Sequence, residues 1–438
     1  MFRLALPVYV ELLTAVVAVG LIDLLWVSGL GEGAIAAVTV GTTVEYLAYG
    51  LFLAVPTGVT VLVGRRDGRA PLWPVVRTGR LLWALFSAAV AVPGVLLHEP
   101  IAALFGAASG PAADFLLVSL AGLPVYFAQT VVDGVLKGLG DTRTPMRNAL
   151  ICNALVVVLD PLLIYGLGLG VRGAALATVA ARAVTLAIAV RSLRGLRDGA
   201  QGDSAPEDGS PAAGAPDDGE RGRGAWLGRE ILVTGLPMSG DFLARALVGM
   251  ALVEIVAGFG TAQVAGYGIG QKIMLAGVMV FYALRQAAMI RTARSEPAGS
   301  PLLLGLGGGA AVAAALNAAA VPAAGLFTAD PSVAVGFLRW MTLYLVPFGG
   351  LIAVGGVLQA SGRGGRLLAA TLAGFAVQLP LAYALSSWLG VTGVWLSMAA
   401  GASVSLAAAL APRAGGPATA PARAPRSTRT AEGRPCGR

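Results

Sequence analysis

Apolar positions in this chain neither form a narrow helical stripe nor alternate; they run on. Stretches near the roughly 20 residues that cross a bilayer follow one another at 4–29, 34–63, 78–97, 112–139, 146–168, 171–195, 230–258, 262–290, 301–325, 333–360, 366–389 and 391–412. Short glycine-rich turns part them, as at Gly29-Leu-Gly-Glu-Gly33 and Gly166-Leu-Gly-Leu-Gly170. Lipid admits only helices or closed barrels, and barrel strands are short and alternating, so each run predicts a helix. The first run, MFRLALPVYVELLTAVVAVGLIDLLWVSGL, outlasts a signal-peptide core, and no small-residue cleavage site follows it. It is read as the first of twelve spans.

Two stretches break the pattern. Residues 198–228 open polar, acidic and rich in Gly, Pro and Ala, and 413–438 are likewise polar and rich in Gly, Pro and Ala, with Glu432 as their one acid. Neither can bury a core, so they are expected to be a flexible cytoplasmic linker and a disordered tail. The linker parts an N-terminal lobe, 1–197, from a C-terminal lobe, 229–412. The lobes echo each other: Val132-Asp-Gly-Val-Leu136 recurs as Val354-Gly-Gly-Val-Leu358, and Leu169-Gly-Val-Arg-Gly173 as Leu389-Gly-Val-Thr-Gly393. The expected fold is an all-α polytopic membrane protein with twelve transmembrane helices in two pseudo-symmetric six-helix lobes, a repeat typical of transporters.

Composition agrees. The chain has 438 residues, 56% hydrophobic and 12% charged, against about 25% charged in soluble domains. With the N-terminus in the cytoplasm, 25 of the 31 Lys and Arg residues fall on inner segments, which predicts both termini cytoplasmic. The net charge of +8 then belongs to cytoplasmic segments and gives no reason to expect nucleic-acid binding. Two cysteines, Cys152 and Cys436, imply no disulfide framework.

Charged residues inside spans are costly and mark function. Asp23 and Asp160 sit six or seven residues before the outer turns, at one depth in one lobe. Two carboxylates there repel and lose hydration, the setting in which one takes up a proton or a cation. Pro161 removes a backbone N–H and bends the helix beside Asp160. Asn153 lies seven residues before Asp160, rotated by only about 20°. Other intramembrane groups are Glu11, Glu45, Asp133, Arg182, Asp241, Arg245, Glu254, Lys272 and Arg285. Arg182 is expected to partner Glu45 or Asp160, and Glu254 to pair with Arg245 or Lys272. Asp141 in the turn GLGDTRTP is expected to cap the next helix, with Arg143 beside it at an inner gate.

The string from Asp133 to Thr178, with GLGDTRTP, Leu159-Asp160-Pro161 and Arg172-Gly-Ala-Ala-Leu-Ala-Thr178, resembles the multidrug and toxic compound extrusion (MATE) family, in style closest to its DNA-damage-inducible branch. In that branch the acids matching Asp23 and Asp160 form the coupling site of the N-terminal lobe. One departure is Val156, where the branch often has Asn. The resemblance implies a secondary active exporter of organic cations or amphipathic drugs in exchange for H⁺ or Na⁺, working as a monomer in the bacterial plasma membrane. No cofactor and no bound metal are expected. A lipid or lipid-linked flippase of the same superfamily is the nearest alternative. An intramembrane aspartyl protease needs a second catalytic Asp, which typically follows Tyr, and no tyrosine here precedes Asp. With no Walker A, HExxH or nucleophile–His pairing, no enzyme is expected.

Overall fold

The computed structural model describes residues 1–67, 70–104, 109–202, 218–297, 299–327 and 330–411, and all its regular structure is helical. The first rod is α1 (Phe2–Leu12), a π-helical segment (Leu13–Ala18) and α2 (Val19–Ser28). Then come α3 (Glu32–Phe52) with α4 (Ala54–Arg66), α5 (Trp73–Leu96) and the short α6 (His98–Ala103). α7 (Ser109–Gly138), α8 (Arg143–Pro161) with a second π-helical segment (Leu162–Gly166), and α9 (Gly170–Gly202) complete the N-terminal lobe. The C-terminal lobe holds α10 (Asp218–Ala257), α11 (Thr261–Ala293), α12 (Pro301–Gly325), α13 (Ser332–Trp340) with α14 (Thr342–Ala360), α15 (Gly364–Leu389) and α16 (Val391–Leu410).

These make twelve rods in two lobes. Among the described residues ten of these rods are long and apolar enough to span a bilayer, the α8 rod with its π segment (Arg143–Gly166) included. The first rod and α10 are not among these ten; α10 carries Asp241, Arg245 and Glu254 within its apolar length. Helix α9 reaches Gly202 and α10 starts at Asp218, so helix enters both ends of the stretch expected to be a linker. Its centre, 203–217, and the tail 412–438 lie outside the described residues.

The lobes repeat each other in their turns. Gly31 caps α3 with φ +98°, and Gly260 caps α11 with φ +105°. Gly140 and Gly362 follow α7 and α14 with φ +85° and +75°. Only glycine enters that region without strain, so the echoed glycines mark equivalent turns. Each lobe has its own apolar core: Phe52, Leu116, Leu120 and Phe127 in one, Phe281, Phe337, Leu345 and Trp395 in the other. Leu25, Leu85, Leu303 and Trp388 point outwards, as expected of faces solvated by lipid.

The lobes meet towards the end of the bundle that carries the N-terminus. A Cβ on Gly235 would lie 1.8 Å from the Ala54 carbonyl oxygen, and one on Gly58 would lie 2.1 Å from that of Ile231. Absent side chains thus let α4 and α10 touch through their backbones. Helix α1 also crosses to the other lobe, where Ala5 and Val8 pack on Ala283, Leu284, Ala287 and Ala353.

Candidate functional site

Asp23 on α2 and Asp160 on α8 are buried, 5% and 0% exposed. They sit on packed neighbouring helices, close enough for each carboxylate to feel the charge of the other. Two buried carboxylates so placed repel when both are ionised, and a proton on one removes the repulsion and supplies a donor. Both oxygens of Asp160, Oδ1 of Asp23 and Oδ1 of Asn153 have no hydrogen-bond partner among the described residues. Each carboxylate's rod carries a π segment, which starts two residues after Asp160 in one and ends five residues before Asp23 in the other. Such segments leave the helix ladder irregular and open to rearrangement. The Tyr165 hydroxyl donates to the Trp26 carbonyl and ties the two rods beyond the pair. Asp23, Asp160 and Asn153 offer oxygen ligands to a proton or a small cation; Val156, fully buried on the same helix, offers none.

The rest of this lobe's interior is also charged. Arg182 lies 3.8 Å from Glu45 and 4.2 Å above the Tyr126 ring, so of its two expected partners Glu45 is the one it meets. Lys137 donates to Glu11 at 2.6 Å, with both residues buried. One turn before Lys137, Asp133 accepts from Gln129 Nε2 at 3.3 Å. Lys137 was expected as an inner-segment charge that helps set orientation; in the structure it is a buried ion-pair partner.

In the C-terminal lobe the expected pairing of Glu254 does not form. Glu254 is exposed, and so is Lys272. Arg245 instead forks onto Asp241, with Nε and Nη2 at 3.1 and 3.0 Å. Asp241 also accepts from the Thr371 hydroxyl at 2.7 Å and has Arg285 Nη1 at 3.6 Å. Four residues separate Asp241 from Arg245, one turn on the same face, whereas nine separate Arg245 from Glu254. The shorter spacing was the signal to follow.

The turn GLGDTRTP behaves as a cap. Oδ1 of Asp141 accepts the main-chain N–H groups of Arg143 and Thr144, both at 3.0 Å. The Arg143 side chain is exposed. The lobes are latched here by residues not singled out in the sequence. Arg294 Nη1 donates to the Leu139 carbonyl at 2.6 Å and meets Asp67 at 2.5 Å. From the other lobe, Arg65 Nη2 donates to the Ala360 carbonyl at 2.6 Å. Both arginines had been counted as orientation charges.

A twelve-helix, two-lobed bundle with a carboxylate pair in its first lobe is the architecture of a polytopic transporter. The MatE family model matches residues 7–162 and 237–384, and the chain belongs to the MATE family. It is 27% identical over 431 residues to the FAD transporter of Shewanella oneidensis, covering 91% of this chain and 90% of that one. It is 31% identical over 204 residues to DNA damage-inducible protein F of Escherichia coli, 44% of each chain. A solved outward-facing multidrug resistance MATE family transporter of the MOP superfamily superposes with a TM-score of 0.78 at 24% identity, over 92% of both chains. MATE family proteins are transporters and not enzymes.

Proposed function

We propose that the protein is a secondary active exporter of amphipathic, drug-like molecules by antiport with H⁺ or Na⁺, and that Asp23 and Asp160, with Asn153 nearby, are its coupling site. The observation that supports this most is the buried carboxylate pair, which bridges two rods that are each interrupted by a π segment. Uptake of a proton from outside lowers the cost of bending the first rod beside the Pro161-kinked one. That bend reshapes the interior of the N-terminal lobe and expels the cargo held there. Ligand count favours H⁺, because a strongly bound metal ion takes several oxygen ligands and Val156 supplies none. Asp141 and Arg143 serve the inner gate by holding its turn in shape. The chain sits in the bacterial plasma membrane with both termini cytoplasmic, on the strength of its Lys and Arg placement.

Relatives differ in the cargo of their names. The Shewanella protein is called an FAD transporter, and others, such as that of Thermotoga maritima, are called probable multidrug resistance proteins. The acidic interior of the N-terminal lobe favours organic cations there. The test is transport of ethidium or a fluoroquinolone in vesicles holding the purified protein, with a pH or a sodium gradient imposed. Accumulation under neither gradient contradicts the reading.

A further inference from the structure

The interiors of the two lobes carry opposite charge. In the N-terminal lobe Asp23, Asp160, Glu45, Glu11 and Asp133 outnumber Arg182 and Lys137. In the C-terminal lobe two guanidinium groups, Arg245 and Arg285, surround one carboxylate, Asp241. Helices α12 to α16 contain no acidic residue at all. One positive charge is therefore left without a countercharge inside the bundle, where such a charge is costly unless something pairs with it.

The donors left over are well defined. Arg285 is 3% exposed; its Nη2 donates to Gln359 at 3.1 Å, while its buried Nη1 faces Asp241 at 3.6 Å but makes no hydrogen bond among the described residues. The Arg245 side chain keeps 18% of its surface open, and its Nη1 makes no hydrogen bond among the described residues. Aromatic rings surround this head. The Arg245 guanidinium lies 5.1 Å from the Phe348 ring centre and 5.9 Å from that of Phe375. Tyr344 stacks on Phe348 at 4.7 Å. Tyr344 and Phe375 are only partly buried. A planar guanidinium with free N–H groups recognises carboxylate or phosphate, and flat rings beside it accept a flat apolar body.

We infer that the C-terminal lobe holds a subsite for anionic aromatic amphiphiles, with the acid group on Arg245 and Arg285 and the ring system on Tyr344, Phe348 and Phe375. The subsite rests on the export reading for its purpose but not for its detection. Bound anion would neutralise the spare positive charge in this lobe while the proton site in the other lobe stays free. One carrier could then accept cargo of either charge, each in its own lobe.

Two planar fluorophores of opposite charge test this by equilibrium anisotropy on the purified full-length protein in detergent, with no gradient present. Carboxyfluorescein is the anion and ethidium the cation. Carboxyfluorescein is expected to bind saturably. The pair Asp241→Asn with Arg245→Gln, which leaves no carboxylate stranded, is expected to weaken it about tenfold or more, the scale of a lost charge-assisted contact. Asp241→Asn alone removes the competing acceptor and is expected to tighten it. Ethidium affinity should not follow these changes. Failure of carboxyfluorescein to bind, equal binding by the double variant, or weaker binding by Asp241→Asn overturns the subsite. Arg245-dependent binding in a protein that moves no dye under any gradient upholds the subsite and sinks the export reading instead.

Discussion

Lys137 and Glu11 lie 2.6 Å apart although 126 residues separate them in the chain. The contact pins the inner half of the first rod to α7, two residues before the π segment begins at Leu13. Removing one partner of a buried pair strands the other charge and costs about 3–5 kcal/mol, whereas removing both costs far less. Lys137→Met and Glu11→Gln should therefore each lower stability in detergent, and the double variant should recover most of the loss. A double-mutant cycle from denaturant or thermal unfolding measures the coupling. Additive losses would mean that the pair does not act as a unit.

The interlobe latch predicts a conformational effect. Ser239 lies buried at the lobe junction and donates to the Leu51 carbonyl at 3.3 Å. In a protein without Cys152 and Cys436, Ser239→Cys should react slowly with a water-soluble maleimide. Arg294→Ala, Arg65→Ala or the wedge Gly235→Val should each speed labelling several-fold by letting the lobes part. Unchanged rates would show that the junction stays shut without the latch.

Asp141 is predicted to act through its cap. Asp141→Asn keeps an oxygen for the two N–H groups and should leave transport and substrate affinity nearly intact. Asp141→Ala loses the cap, costs about 1 kcal/mol of helix stability and should slow turnover with affinity unchanged. A large affinity loss in either variant, measured by dye binding, would place Asp141 at the substrate instead.

The spans were legible because each is a continuous apolar run, and the lobes because glycine turns recur. Asp23 and Asp160 were legible as a pair because matched depth can be counted along two helices. Lys137–Glu11 was not, since partners so far apart in sequence are set by how α1 crosses the bundle. Arg294 and Arg65 read as orientation charges because an arginine at a helix end looks the same whether it meets water or the facing lobe. Asp241–Arg245 was within reach at one helical turn, but the more isolated Glu254 drew the pairing.

Orientation has its own test. Trypsin added to inside-out vesicles should cut between 198 and 228 and leave two membrane-held halves. Cleavage there in intact, outside-exposed cells would reverse the assignment.

The central claim is that the Asp23–Asp160 pair couples a proton gradient to export. The direct measurement is dye transport in proteoliposomes under an imposed pH difference, for the native protein and for Asp23→Asn and Asp160→Asn. The native protein should accumulate dye, and both variants should lose gradient-driven transport while still binding the dye, because an amide cannot cycle a proton. Full transport in either variant would remove that carboxylate from the mechanism, and transport driven by sodium with the pH difference held at zero would contradict proton coupling.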